Sequence, residues 1–116
     1  MDNRKYDRYY IEKVFENIDA IILYAKDLSY DDFINDSIVI DAIMFRLVQM
    51  AENISRISKE FRERHSNIKW GEIIGFRNGI VHDYGKTDYS IVYEIVSGDI
   101  HKLRSDLEEI MVNNWF

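Results

Sequence analysis

The absence of proline from the whole chain constrains its fold more than any other feature. A proline in a helix interior costs about 3 kcal/mol, because it removes an amide donor and clashes with the preceding turn, and a glycine costs about 1 kcal/mol relative to alanine. With no proline and only 5 glycines, little in the chain interrupts long helices. The apolar residues use that freedom. From about Tyr6 to Leu28, Ile11, Val14, Ile18, Ile21, Ala25 and Leu28 recur at spacings of three and four, which puts them on one stripe of a helix. Phe15 and Ile22 widen the stripe to the breadth of a bundle helix.

Ser29, with Asp32 three residues later, signals a short helical turn around Tyr30 to Ile34. Asn35, Asp36 and Ser37 offer caps for the longest predicted element, from about Ser37 to Arg64, in which Ile40, Ile43, Leu47, Met50, Ile54, Ile57 and Phe61 keep the same rhythm. At about 1.5 Å per residue such a helix exceeds 40 Å. His65-Ser66-Asn67 breaks the pattern, and a third helix is expected from Ile68 or Trp70 through Val81, closed by Gly85 as the residue after its last turn. Gly71, Gly75 and Gly79 fall every fourth residue along it, a row that predicts close helix packing, either within the chain or between subunits. Asp88 or Thr87 caps a fourth helix running through Val92, Val96, Ile100, Leu103, Leu107 and Ile110, and Trp115 and Phe116 trail behind it. The expected architecture is all-α: an antiparallel bundle of four main helices plus a short helical turn, in a single domain spanning 1–116.

Composition narrows the function. Without cysteine there are no disulfides, thiolate metal sites or cysteine nucleophiles, which fits a reducing compartment and a cytoplasmic location. The start, Met1-Asp2-Asn3-Arg4-Lys5-Tyr6-Asp7, leads into no signal-type run, and no stretch of roughly 18 apolar residues suggests a membrane span. A net charge of −6 argues against holding nucleic acid over the whole surface, since a phosphate backbone rewards basic faces. One local excess, where Arg56, Lys59, Arg62, Arg64 and Lys69 outnumber Glu60 and Glu63, reads either as a solvated helix face or as a local nucleic-acid contact.

The chemistry is concentrated in Arg77-Asn78-Gly79-Ile80-Val81-His82-Asp83-Tyr84. A guanidinium can hold a phosphate in a fork and stabilise charge developing on it. An imidazole exchanges a proton near neutrality. Asn78 shares a helix face with His82, and Arg77 is long enough to reach around to it. Together they suit phosphodiester transesterification, in which the RNA 2′-hydroxyl attacks the adjacent phosphate without a metal. An alternative reading is a polar helix end satisfied by its neighbours. His65 and His101 are isolated and lack metal-ligand spacing with His82. Trp70 reads as a packing anchor, and Glu52 as a buried carboxylate paired with an arginine, or alternatively as a general base.

Arg77-x-x-x-x-His82-x-Tyr84, preceded by Trp70-Gly-Glu-Ile-Ile-Gly-Phe76 and by Ala51-Glu52-Asn53-Ile54-Ser55, resembles the HepT-like proteins of the HEPN superfamily over nearly the whole chain. The resemblance implies an all-helical homodimer with two copies of the motif facing across a cleft. It implies the toxin of a prokaryotic toxin–antitoxin pair, acting as a metal-independent RNA endonuclease without a cofactor, and partnered by a nucleotidyltransferase of the MNT type. By position, Arg77 and His82 become the catalytic pair, Asn78 the polar residue beside the arginine, and Tyr84 a target for adenylylation by the partner. Ala51 stands where the family usually has the glycine of a Gly-Glu pair, which bears on how closely that segment packs. Arg56, Lys59 and Lys69 are the candidates to line an RNA groove at the dimer. A second reading makes the chain a non-catalytic partner or substrate of a nucleotidyltransferase.

Overall fold

The computed structural model describes residues 4–116, and Met1, Asp2 and Asn3 of the charged start lie outside them. Every regular element among the described residues is helical. Helix α1 (Arg4–Ala25) buries Ile11, Val14, Ile18 and Ile21, the stripe its spacing predicts. It ends three residues earlier than the pattern suggests, because Asp27 takes a left-handed backbone (φ 61°) that turns the chain. The short α2 (Tyr30–Ile34) starts on Ser29, whose hydroxyl accepts the amide of Asp32 at 3.1 Å.

The long helix expected over 37–64 is two helices. Helix α3 (Ser37–Ser55) is capped by Asp36 and buries Ile40, Ile43, Leu47, Met50 and Ile54. It spans about 28 Å rather than more than 40 Å. The chain then turns at Arg56 and restarts as α4 (Lys59–Arg64), with Ser58 as its cap. A buried carboxylate drives the restart. Asp7 of α1, 2 % exposed, accepts both the amide and the hydroxyl of Ser58 at 2.7 Å, while the Ser58 oxygen accepts the amide of Phe61 at 3.2 Å. Continuing the helix would strand that carboxylate without partners in the interior, a cost greater than the break.

Helix α5 (Trp70–His82) begins on a buried anchor. The Trp70 indole packs edge-on against Phe61 and donates to the carbonyls of Arg62 (3.2 Å) and His65 (3.0 Å). At the other end the helix stops at His82. Asp83 leaves the helical conformation (φ −152°, ψ 68°) and a 3-10 turn, Tyr84–Lys86, follows. Gly85 lies inside that turn and does not have positive φ, so it is not the left-handed residue the sequence suggests. Gly71, Gly75 and Gly79 meet nothing within 4 Å of where a Cβ would stand. Close packing within the chain therefore does not account for that row.

The fourth element starts at Asp88, whose carboxylate accepts the amide of Ser90 at 2.9 Å. It runs as α6 (Tyr89–Glu94), a π turn over Ile95–Asp99, and α7 (Ile100–Asn113), burying Val92, Val96, Ile100, Leu103, Leu107 and Ile110. Asn114 closes it in the left-handed region, and the chain folds back. Phe116 stacks on Phe61, the Arg8 guanidinium covers its ring, and its terminal oxygen accepts from Arg64 at 2.5 Å. Trp115 stays half exposed, although its carbonyl accepts from His65 at 2.8 Å. Polar ties set the directions. Asp7 meets Ser58 just past α3 and Asn17 meets Arg46 within it, while Arg8 meets Asn114 just past α7 and Asp19 meets Arg104 within it, so α1 runs antiparallel to both.

Candidate active site

Helix α5 packs antiparallel on α3, and this pairing builds the site. Arg77 sits half buried in the second-last turn of α5, on the flank that faces Glu52. Its Nη2 makes a short ion pair with a Glu52 oxygen, and its Nη1 donates to Asn78 Oδ1 at 2.6 Å. Arg56 reaches the other Glu52 oxygen at 4.0 Å, so one carboxylate sits between two guanidinium groups. The hydrogen bond and charge of Arg77, helped by the charge of Arg56, hold the Glu52 carboxyl below the usual carboxylate range. Glu52 thus stays ionised and pairs with an arginine as its sequence context suggests. Ala51 beside it is buried.

His82, in the last turn of the same helix, is exposed and makes no hydrogen bond or ion pair with any described residue. Two residues on, the Tyr84 hydroxyl donates across to Asp41 of α3 in a short hydrogen bond. Partial burial first, and then the Asp41 carboxylate, push the phenol up to about 12. At neutral pH Tyr84 is therefore a proton donor and not a phenolate. Asp83 pairs with Lys86 at 3.6 Å inside the turn.

The four motif residues all lie on the last turns of α5 and the turn after it, and α3 tethers two of them. Exposed apolar residues border the strip: Ile38 (81 %) and Phe45 (59 %) on α3, and Val81 (58 %) on α5. Of the basic candidates, Arg56 shares the Glu52 network. Lys59 pairs with Glu63 on α4 at 3.7 Å, and Lys69 lines an open groove of about 470 Å³ on the other flank of α5, between it and α6–α7. That groove is lined mainly by apolar side chains and by none of the motif residues. His65 serves α4 and the C-terminus, and His101 is exposed on α7. Among the described residues no group of three histidines or carboxylates is placed to hold a metal, and no helix is long and apolar enough to cross a membrane.

Asp41 is the site residue that sequence reading does not find. It stands between Ile40 and Ala42 in an apolar helix, one polar residue on the solvent side. Its only local signal is shared by every surface aspartate.

The described residues form an all-helical fold that gathers an arginine, an asparagine, an exposed histidine and a tyrosine at one helix end. Comparison with known proteins makes this specific. The chain belongs to the HepT-like family of the HEPN superfamily: the family model described as "Ribonuclease HepT-like" matches residues 14–110. The chain is 32 % identical over 107 residues to "Putative RNase TTE0752" of Caldanaerobacter subterraneus subsp. tengcongensis, covering 92 % of this chain and 96 % of that protein. It is 30 % identical over 99 residues to "Putative RNase MJ1380" of Methanocaldococcus jannaschii, covering 85 % and 91 %. "Probable ribonuclease HepT" of Thermococcus cleftensis is 26 % identical over 101 residues, covering 87 % and 92 %. No solved structure matches the chain.

Proposed function

We propose that the chain, folded as a single domain, is a metal-independent RNA endonuclease, the cytoplasmic toxin of a prokaryotic toxin–antitoxin pair. One observation carries the reading: Arg77 is held between Glu52 and Asn78 one and a half turns before an exposed His82 on the same helix, whose side chain has no polar partner among the described residues. Membership of the HepT-like family and the naming of its relatives as ribonucleases point the same way.

In the proposed reaction the 2′-oxygen of a ribose bonds to the adjacent phosphorus while the bond from phosphorus to the next nucleotide's 5′-oxygen breaks. His82 takes the 2′-hydroxyl proton, and the opposing His82 of a second copy, or water, protonates the leaving oxygen. Arg77 and Asn78 hold the phosphate and offset the charge that builds on it. The Tyr84 phenol stands at the edge of the site with its hydroxyl donating to Asp41. Dimerisation through the Ile38, Phe45 and Val81 face would bring two motifs into one cleft, and the bare glycine row leaves α5 open to a close neighbour. It would also concentrate positive charge, with Arg56 at the site and Lys59 and Lys69 further out, on a molecule whose net charge is −6.

The decisive test is cleavage of single-stranded RNA by purified protein in the presence of a chelator. Activity that persists without metal and falls steeply with added salt supports the reading; inactivity across a range of RNAs refutes it.

A second reading has its own support in Tyr84, an exposed phenol (40 %) at the edge of the site. It makes the chain the partner and substrate of an MNT-type nucleotidyltransferase, which adenylylates Tyr84 and, in the toxin reading, neutralises it. Incubation with that enzyme and ATP separates the two: nucleotide on Tyr84 with no RNA cleavage by the unmodified protein favours the partner alone.

A further inference from the structure

Asp41 and Glu52 stand about three helical turns apart on one side of α3, separated by about 16 Å along its axis. Each holds one motif residue, Glu52 the guanidinium before His82 and Asp41 the phenol after it. The second tie is the more consequential. Helix α5 ends at His82, where the Asp83 amide donates to the Gly79 carbonyl at 3.1 Å and the Asp83 backbone leaves the helical conformation. Among the described residues, no other side chain over 78–88 forms a hydrogen bond to α3, the Asp88 carboxylate capping α6 instead. The backbone bonds of the turn, Lys86 to Asp83 and Thr87 to Tyr84, are local and fix nothing against α3.

We propose that Asp41 is a positioning residue of the site: by accepting the Tyr84 hydroxyl it pins the turn after α5 to α3, and so sets where His82 meets the scissile phosphate. The role in cleavage rests on the ribonuclease reading above, whereas the tie can be tested without it. The groups around the phenol are few. Asp41 faces it from α3 and Tyr89 from the start of α6, while Asp83 and Lys86 in its own turn are paired with each other. Asp41 is exposed, so replacing it leaves the core intact.

The test uses the full chain with tyrosines carrying 13C at the hydroxyl-bearing ring carbon, the Tyr84 resonance being the one lost in Tyr84→Phe. In the wild type this phenol ionises well above the other exposed tyrosines, and Asp41→Ala brings it back towards them. In RNA cleavage Asp41→Ala lowers kcat by about tenfold, on the scale of one lost hydrogen bond to a charged acceptor, and leaves KM within about twofold. Asp41→Asn keeps an acceptor and recovers most of the rate. Adding Asp41→Ala to Tyr84→Phe costs nothing further, because the two act through one contact. A wild-type Tyr84 that titrates with the exposed tyrosines overturns the proposal whatever the activity, and so do rate losses that multiply in the double variant. A raised phenol that falls in Asp41→Ala, in a protein that cleaves no RNA, keeps the anchor and overturns the ribonuclease reading instead.

Discussion

The two ends of α5 are held by different physics. At its start, Trp70 is buried against Phe61 with its indole proton satisfied by two carbonyls. At its finish, Val81, His82 and Asp83 are exposed, Ile80 is the one buried residue of the last turn, and among the described residues the polar ties to α3 are the Arg77 and Tyr84 contacts to carboxylates. A hydrophobic anchor fixes position by excluding water from a large area and tolerates little change. Polar ties near the surface cost less to break, and they leave adjacent side chains open to a substrate. Burial thus sets where the helix lies, and the ion pair and hydrogen bond set how its working end is presented.

The contrast can be broken at either end. Trp70→Ala removes the anchor and its two hydrogen bonds, and should cost about 3–5 kcal/mol of stability, read as a lower midpoint in denaturant titration. A change under about 1 kcal/mol would show that the start of α5 is not held by its aromatic contacts. His82→Ala at the other end should leave that midpoint unmoved and lower RNA cleavage by about 10²–10⁴-fold, the range for losing a positioned general acid or base. Retained cleavage would remove His82 from the chemistry.

Phe45→Glu charges the exposed border of the site and should shift the protein towards monomer in sedimentation, weakening self-association by about 2 kcal/mol or more if Phe45 anchors the interface. An unchanged mass would move the dimer to another face. The smallest effect expected is with pH. Glu52 titrates below the usual carboxylate range when folded, so its tie to Arg77 is fully present above the unfolded value and is lost as pH falls through the folded one. Wild type and Glu52→Gln should therefore differ in thermal midpoint at neutral pH and converge in acid. A difference that grows in acid would reverse the sign assigned to this pair.

Much of the helix plan was visible before folding, for a local reason. Ser29, Asp36 and Asp88 cap helices whose apolar rhythm starts within a few residues of them. Ser58 caps one too, but the apolar rhythm runs straight through it from Ile54 to Phe61. What decides the break is Asp7, 51 residues away in sequence and buried beside it. Gly85 misled in the opposite way, since a glycine after a helix suits a left-handed cap but does not demand one. Arg77, Asn78, His82 and Tyr84 could be named from the sequence because they sit within eight residues and carry distinctive chemistry. Asp41 could not, because its importance comes entirely from what stands opposite.

The sequence by itself determined the helices, their buried stripes, the family and the cluster of side chains able to act on a phosphate, because these are written in composition, period and short-range spacing. Tertiary structure decided where the long helix breaks, which carboxylates hold Arg77 and Tyr84, and which basic residue stands beside them. Those outcomes depend on antiparallel helices meeting in one register, and register is fixed by side chains that meet only when the core closes.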